Sequence, residues 1–498
     1  MVWNKNIHFV VVSVSIIMLL DGLEGWTMFH RGRGHGGMLG SPKAAPNTTA
    51  EWFRQLLDHF NPTVLHTWEQ RYFTNASFYV RGGPVFLMIG GEGTADPIWM
   101  VTSQWIEYAQ RYNALCFMLE HRYYGASHPT RDLSSRNLVY LSSEQALADL
   151  AYFIEAMTVK YEVPEGTKWI AFGGSYSGSL AAWLRAKYPH LVHGAVSASA
   201  PLLAKADFRE YYRVVQDDLA MYNLFCVAAI RHATQELSML LKDSFGHKIV
   251  NKLFNLCDPI DVLEKNDVSN LYDTLAGNLA GIAQYNGDNR QFEGLSLNMT
   301  LKSVCAIMDD ESLGTPVKRY SLVNNKLLEK YNKKCLDYKY DKLIAYLSQT
   351  EWDSEAGQTG GRQWVYQTCT EFGFYQTSDL TAQVFGDYFP LDFFIQQCSD
   401  VFGPRYNGTL VMQGVKRTNT IYGALNIQAT RVVSVHGSVD PWHVLGITQT
   451  IKKDSPAIYI KGTAHCADMY PSLSSDLPQL VAARKKISDL IGQWLGDD

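Results

Sequence analysis

An excess of charge of one sign is missing from this sequence: over 498 residues, 44 Lys and Arg stand against 49 Asp and Glu, a net of −5. A chain that neutralises phosphates needs a basic surplus, so nucleic acid is excluded as a partner. Metal-ligand spacing is missing as well. The histidines near the C-terminus show no H-x-x-H pattern and no accompanying carboxylate cluster, and no metal site is expected. No repeat of fixed period runs through the chain. Beyond the N-terminal segment, no apolar run approaches the roughly 20 residues of a membrane-spanning helix. Low hydrophobicity, the mark of disorder, is also absent, at 46% hydrophobic residues. The length fits two to four units, or one large α/β unit carrying an insertion.

What is present begins with Lys5 followed by an apolar run from Phe9 to Leu20 and small residues at Gly22 and Gly25. That layout predicts a secretory signal peptide over residues 1–25, the alternative being an uncleaved anchor, with a flexible Gly- and Arg-rich leader over 26–50. No stable membrane insertion is expected after cleavage. Sequons at Asn47, Asn75, Asn298 and Asn407 agree with the secretory pathway, ending outside the cell or in the lysosome. Six of eight cysteines, Cys226, Cys257, Cys305, Cys335, Cys369 and Cys398, lie between residues 200 and 400, which predicts a disulfide-stapled insertion. Cys116, inside an apolar strand-like run, reads as a buried free thiol. Cys466 has no assigned role.

From Trp52 onward strand and helix signals alternate. Strands are expected at Val85–Ile89, Ala114–Glu120, Trp169–Phe172 and Gly194–Ala198, with helices at Glu144–Tyr161 and Tyr176–Tyr188. Ser142 and Gln145 stand in capping-box spacing before the first helix. Such alternation predicts a mostly parallel sheet with helices on both faces. After Pro201 the pattern turns to long amphipathic stretches such as Phe208–Leu241. Strand signals resume at Arg431–Val435 and Ala457–Ile460, and a last helix is expected at Leu477–Leu495. The expected organisation is a first α/β part over 51–203, a helical insertion over 204–420, and a second α/β part over 421–498.

The segment Trp169–Gly178 passes from an apolar strand into a helix through small residues, the setting of a nucleophile elbow in α/β-hydrolases. Gly173 and Ser175 match G-x-S-x-G, but Ser177 takes the place of the second glycine and Gly178 follows one step later. Ser175 is the candidate nucleophile, Ser177 its rival inside the first helical turn. A serine hydroxyl needs a histidine to accept its proton and a carboxylate to orient that histidine. Asp440, past one strand end, and His465, past the next, supply the order Ser, Asp, His. His436 and His443 compete for the base; His436 precedes the acid and breaks that order. Backbone N–H groups of Tyr176 and of the loop at Gly91 are the candidate oxyanion donors. Glu92 is either a buried structural acid or faces a positive group of the substrate, and Trp442 is a further pocket candidate.

Gly173-Gly-Ser-Tyr-Ser-Gly178 and the residues on to Trp183, Glu120-His-Arg-Tyr-Tyr-Gly125, Leu57-Asp-His-Phe60, Gln70-Arg-Tyr-Phe73 and Asp440-Pro-Trp442 together resemble the S28 serine peptidases, over roughly residues 50–490. The resemblance implies an α/β-hydrolase fold with an inserted helical cap, and a triad of Ser175, Asp440 and His465. Within the family, Gly90-Gly-Glu-Gly93 and Ala464-His-Cys466 look most like the thymus-specific branch. Gly91 stands where dipeptidyl relatives carry an asparagine that helps hold the substrate's amino terminus, and Cys466 stands for a second histidine. By the same resemblance the cap bridges pair Cys226 with Cys305, Cys257 with Cys335, and Cys369 with Cys398. The expected activity is that of a serine-type exopeptidase, of dipeptidyl-peptidase or prolyl carboxypeptidase type, acting on peptide substrates without a cofactor, with a second copy of the chain as a candidate partner. A lipase or esterase on the same fold, or a catalytically silent binding protein, are the alternative readings.

Overall fold

A computed structural model describes residues 49–287, 299–380 and 383–496. The expected signal peptide, nearly all of the leader, Asn47 and Asn298 lie outside the described residues.

Eight strands form one sheet: β1 (Glu51–Leu56), β2 (Thr67–Asn75), β3 (Val85–Ile89), β4 (Leu115–Leu119), β5 (Trp169–Gly174), β6 (Gly194–Ala198) and, counting past two short strands, β7 (Lys205–Asp207) and β8 (Gly373–Tyr375), that pair apart from it, β9 (Val432–Gly437) and β10 (Ala457–Ile460). The spatial order is β1-β2-β4-β3-β5-β6-β9-β10. Neighbours from β4 to β10 run parallel, while β1 and β2 form an antiparallel pair that joins β4 antiparallel. The fold is an α/β hydrolase. Every residue of β3 to β6 and of β9 is buried, as two-sided coverage requires. Along β3 the side chains alternate between two cores: Val85, Leu87 and Ile89 enter one, Phe86 and Met88 the other.

The β1–β2 hairpin was not expected from the sequence. Its first strand, Glu-Trp-Phe-Arg-Gln-Leu, exposes Trp52 at the sheet edge and mixes polar with apolar residues without a period, so it shows neither the apolar run that marks the inner strands nor a two-residue alternation. The predicted capping box forms by half. The Ser142 hydroxyl accepts the Gln145 N–H at 3.2 Å, but the Gln145 side chain donates to Asp58 at 2.6 Å and accepts from the His59 N–H at 3.0 Å.

Between β6 and β9 the chain is mainly helical, with two departures from expectation. The stretch Phe208–Leu241 is broken at Asn223 into helices Glu210–Tyr222 and Leu224–Leu240, Asn223 capping the second through the Phe225 N–H at 2.9 Å. Within this segment β7 and β8 pair in parallel. Disulfides join Cys226 to Cys305, Cys257 to Cys335 and Cys369 to Cys398, all inside it. The first two span 79 and 78 residues, and closing loops of that size stabilises by about 4 kcal/mol each in the chain-entropy account. Cys116 and Cys466 are free and buried. Among the described residues no helix is long and apolar enough to cross a membrane.

Candidate active site

β5 ends in a turn whose geometry depends on three small residues. Ser175 has φ 58° and ψ −130°, a left-handed conformation that costs a non-glycine residue about 1–3 kcal/mol. The turn is held by the Ser175 N–H donating to the Ala198 carbonyl on β6 at 2.9 Å. A Cβ on Gly173 would lie 2.1 Å from the Ser177 carbonyl oxygen, and one on Gly178 would lie 2.6 Å from that of Ala198. The close approach of helix to sheet therefore falls at Gly178. Ser177, in the usual place of the second glycine, is fully buried; its hydroxyl donates to the Gly174 carbonyl at 2.8 Å and accepts the Gly174 N–H at 3.1 Å. It is committed to the turn itself. Gly173→Ala is accordingly expected to destabilise the fold by about 1–3 kcal/mol through overpacking against backbone, read as a lowered thermal midpoint; an unchanged midpoint would mean the turn is looser than described.

Asp440 and His465 sit past the ends of β9 and β10. Their loops are locked together because Gly437 has no side chain: a Cβ there would meet the Thr463 carbonyl at 2.3 Å and that of Ala464 at 2.6 Å. The Val439 N–H donates to the Thr463 carbonyl at 2.9 Å. As a result the Asp440 and His465 side chains, both fully buried, meet at 2.9 Å between Oδ1 and Nδ1. The same Oδ1 accepts the Trp442 N–H at 3.0 Å. Burial works against charge on both residues, yet their pairing prevails: Asp440 is held below the usual carboxylate range and His465 well above the ordinary histidine value. With Nδ1 engaged, His465 Nε2 is buried and has no hydrogen-bond partner among the described residues.

One cleft adjoins this pair through Gln284 and Trp442. It holds about 970 Å³ of space continuous with solvent and is lined by Ser175, Tyr176, Glu92 and Trp442, together with residues of the helical segment. Gln284, at the end of helix Lys265–Gln284, belongs to that lining; its carbonyl accepts the His465 N–H at 2.9 Å and its side chain accepts the Trp442 indole N–H at 2.9 Å. Trp442 thus lies between the acid and the cleft. Gly91 packs on the elbow, a Cβ there coming within 3.4 Å of the Ser177 side chain. Glu92 is 4% exposed, and burial raises its carboxyl to about 7. The competing histidines are placed elsewhere: His443 Nδ1 pairs with the Asp440 carbonyl at 2.7 Å, and buried His436 abuts Gly446.

The family model described as serine carboxypeptidase S28 matches residues 55–487. The chain belongs to the S28 serine peptidases. It is 37% identical to the thymus-specific serine protease of Mus musculus over 94% of this chain and 90% of that one, and 28% identical to the lysosomal Pro-X carboxypeptidase of Homo sapiens over 92% and 90%. Among solved structures, a proline iminopeptidase of Mycobacterium smegmatis aligns at 11% identity with a TM-score of 0.38, over 89% of this chain and 99% of that one.

In this S28 chain the motifs at Leu57, Gln70 and Glu120 hold one another rather than the cleft. Buried Arg122 binds Asp149 with Nε and Nη2, both at 2.6 Å, and its Nη1 donates to the carbonyls of Leu57 and Tyr140. His59 Nε2 meets the same Asp149 at 2.8 Å. Glu120 binds Arg71 at 2.5 Å and Ser127 at 2.7 Å. Behind the elbow, Tyr176 donates its hydroxyl to His121 Nε2 at 3.0 Å, since His121 Nδ1–H is given to the Arg122 carbonyl at 2.7 Å, and accepts from Gln367 at 3.0 Å. Sequence reasoning did not find Gln284, Trp364, Phe374 or Asp273 in the cleft. All four come from the helical segment, where amphipathic periodicity separates buried from exposed faces but does not say which buried residues border a cavity.

Proposed function

We propose that this S28 serine peptidase is an exopeptidase of the secretory pathway, extracellular or lysosomal, in which Ser175, His465 and Asp440 act as the triad. The observation that carries it is the buried Asp440–His465 pair, held by Gln284 and Trp442, which line the same cleft as Ser175. Ser175 Oγ attacks the peptide carbonyl carbon while Nε2 takes the hydroxyl proton. The oxyanion is met by the N–H groups of Tyr176 and Gly91, the leaving amine departs with the proton from His465, and water cleaves the acyl-enzyme by the reverse sequence. Asp440 keeps the proton-bearing Nδ1 oriented. No cofactor enters. The α/β parts, 51–203 and 421–498, supply the chemistry. The cap over 204–420 supplies much of the cleft wall, including Trp364, Phe374 and Gln284, and a walled cleft admits chain ends and short peptides more readily than folded protein.

The secretory reading is supported by the three bridges, which need an oxidising compartment. Asn407 is the stronger glycosylation candidate, since it is exposed and its amide nitrogen donates only to the Pro404 carbonyl at 3.4 Å, whereas that of Asn75 donates to the Met100 carbonyl at 2.7 Å. Digestion of a mixed peptide library at acidic and neutral pH, with products read by mass spectrometry, is expected to show trimming from one chain end. Internal cleavage without trimming contradicts the exopeptidase reading. The room at Gly91 allows a sharper test of which end is read. Gly91→Asn should fold normally and raise release of amino-terminal dipeptides about tenfold, the value of one well-placed hydrogen bond. An unaltered product set counts against amino-end recognition.

A further inference from the structure

A ridge of polar side chains fastens the cap to the hydrolase part behind the nucleophile. Gln363, Gln367 and Glu371 recur every fourth residue along the helix Gly361–Gln367 and the π-helical turn Thr368–Phe372 that continues it, and all three are buried. Such spacing puts them on one face. Each reaches the hydrolase part: the Gln363 amide donates to the Tyr123 carbonyl at 3.0 Å, Gln367 engages Tyr124 and Tyr176, and Glu371 accepts from the Ser143 hydroxyl at 2.6 Å. The adjoining positions Trp364 and Thr368 line the cleft together with Ser175. One helical segment therefore carries both a docking face and a substrate face.

Gln367 is the member of the ridge that reaches the catalytic turn. Its Nε2 donates to the Tyr176 hydroxyl at 3.0 Å, and its Oε1 accepts from the Tyr124 hydroxyl at 2.7 Å. Tyr176 directly follows Ser175 and begins the next helix, so fixing the tip of its side chain restrains the backbone from which its N–H projects. The ring is gripped as well, its centroid 5.6 Å from that of Trp364 and 5.3 Å from that of Phe372. Tyr124 leads to the second oxyanion donor. It packs on Gly360, where a Cβ would lie 2.9 Å from the Tyr124 ring and 3.2 Å from the Glu92 carbonyl oxygen, in the loop of Gly91. We infer that Gln367 is a positioning residue for the oxyanion hole: one amide of the cap holds the residues behind both donors. The inference rests on the serine peptidase reading of the same site.

The test compares Gln367→Leu with Gln363→Leu in the full chain, with active sites counted by labelling to completion with a serine-reactive phosphonate. Gln367→Leu is expected to lower kcat per labelled site by about 10- to 100-fold with KM little changed, because a displaced donor weakens the transition state alone. A peptidyl trifluoromethyl ketone is the sharper probe. Its carbonyl carbon bonds to Ser175 Oγ, the hydroxyl proton passes to His465, and the carbonyl oxygen becomes an anion facing the two donors. Its inhibition constant should rise by the factor by which kcat falls, while binding of the corresponding peptide amide stays as it was. Gln363→Leu should lower the thermal midpoint but leave both constants near those of the wild type. A merely structural Gln367 would lower the labelled fraction and leave kcat per site and ketone affinity intact, which would overturn the inference. A loss confined to KM, or equal losses of ketone affinity in both leucine variants, would overturn it too. Should Gln367→Leu fail to fold, Tyr124→Phe removes one hydroxyl of the same network and decides in its place, with an expected loss of kcat and ketone affinity of about 3- to 10-fold. Absence of any Ser175-dependent labelling or cleavage would instead overturn the peptidase reading.

Discussion

Ser175→Ala is expected to lower kcat for peptide hydrolysis by about 10⁴- to 10⁶-fold while leaving the fold intact. The size follows from what is lost. Without the hydroxyl no acyl-enzyme forms, and what remains is the residual rate from oxyanion donors and substrate positioning. His465→Ala should cost as much, and the double variant little more, because the two act in one proton transfer. Asp440→Asn is expected to cost about 10⁴-fold, since the amide no longer holds His465 with Nδ1 protonated and Nε2 free to accept. Single-turnover kinetics with an ester and a peptide substrate separate these effects from binding. The competing assignment makes the opposite prediction. Ser177 is tied to Gly174 through both of its hydrogen bonds, so Ser177→Ala should affect stability more than chemistry. Activity abolished by Ser177→Ala and retained by Ser175→Ala would reverse the assignment.

The second large effect concerns pH and stability. Burial raises Glu371 and Glu92 to about 7, and raises Asp218, beside Asp440, to about 8. For each, the folded state holds its proton to higher pH than the unfolded chain does, so stability is greatest below the unfolded value and is lost as pH rises through the folded one. Between pH 6.5 and 8 the three together should lose about 3 kcal/mol. His121 and His436, each lowered to about 4 by burial, act in the opposite sense, but only as pH falls below about 6.5, so that window separates the two classes. The thermal midpoint should therefore fall by several degrees from pH 6.5 to 8. Glu371 also joins the cap to the hydrolase part, accepting from the Ser143 hydroxyl at 2.6 Å and N–H at 3.0 Å. Glu371→Gln should remove about 1 kcal/mol of the slope. A midpoint that rises across the window would show these carboxyls to be ionised in the folded state. A chain steadier in mild acid suits a lysosomal or acidified secretory setting.

Legibility from sequence followed the range of the interactions. The elbow could be read because its signal lies within ten residues: apolar strand, small turn, helix. The inner strands were read for a similar reason, since two-sided burial writes an uninterrupted apolar run. The β1–β2 hairpin was missed because an edge strand satisfies its backbone on one side and tolerates polar residues on the other. The shift of the second glycine to position 178 looked like an imperfect match. It reflects where the helix touches Ala198 on β6, a contact that spacing alone does not encode. The family motifs at Leu57, Gln70 and Glu120 were legible as a resemblance, and their work emerges only in space, where Arg122, Asp149, His59 and Arg71 knit the hairpin to the loop after β4.

The sequence by itself determined the hydrolase architecture, the serine at the exit of β5, and the positions of Asp440 and His465 past the ends of β9 and β10, because each is written in local pattern and chain order. Tertiary structure decided the rest. It brought Asp440 to His465 through the close approach at Gly437, and set Gln284 against the histidine. It also walled the cleft with cap residues such as Trp364 and Phe374. Those features arise from contacts between residues up to hundreds of positions apart, and burial, which sets the charge of such groups, exists only once the chain has closed around them.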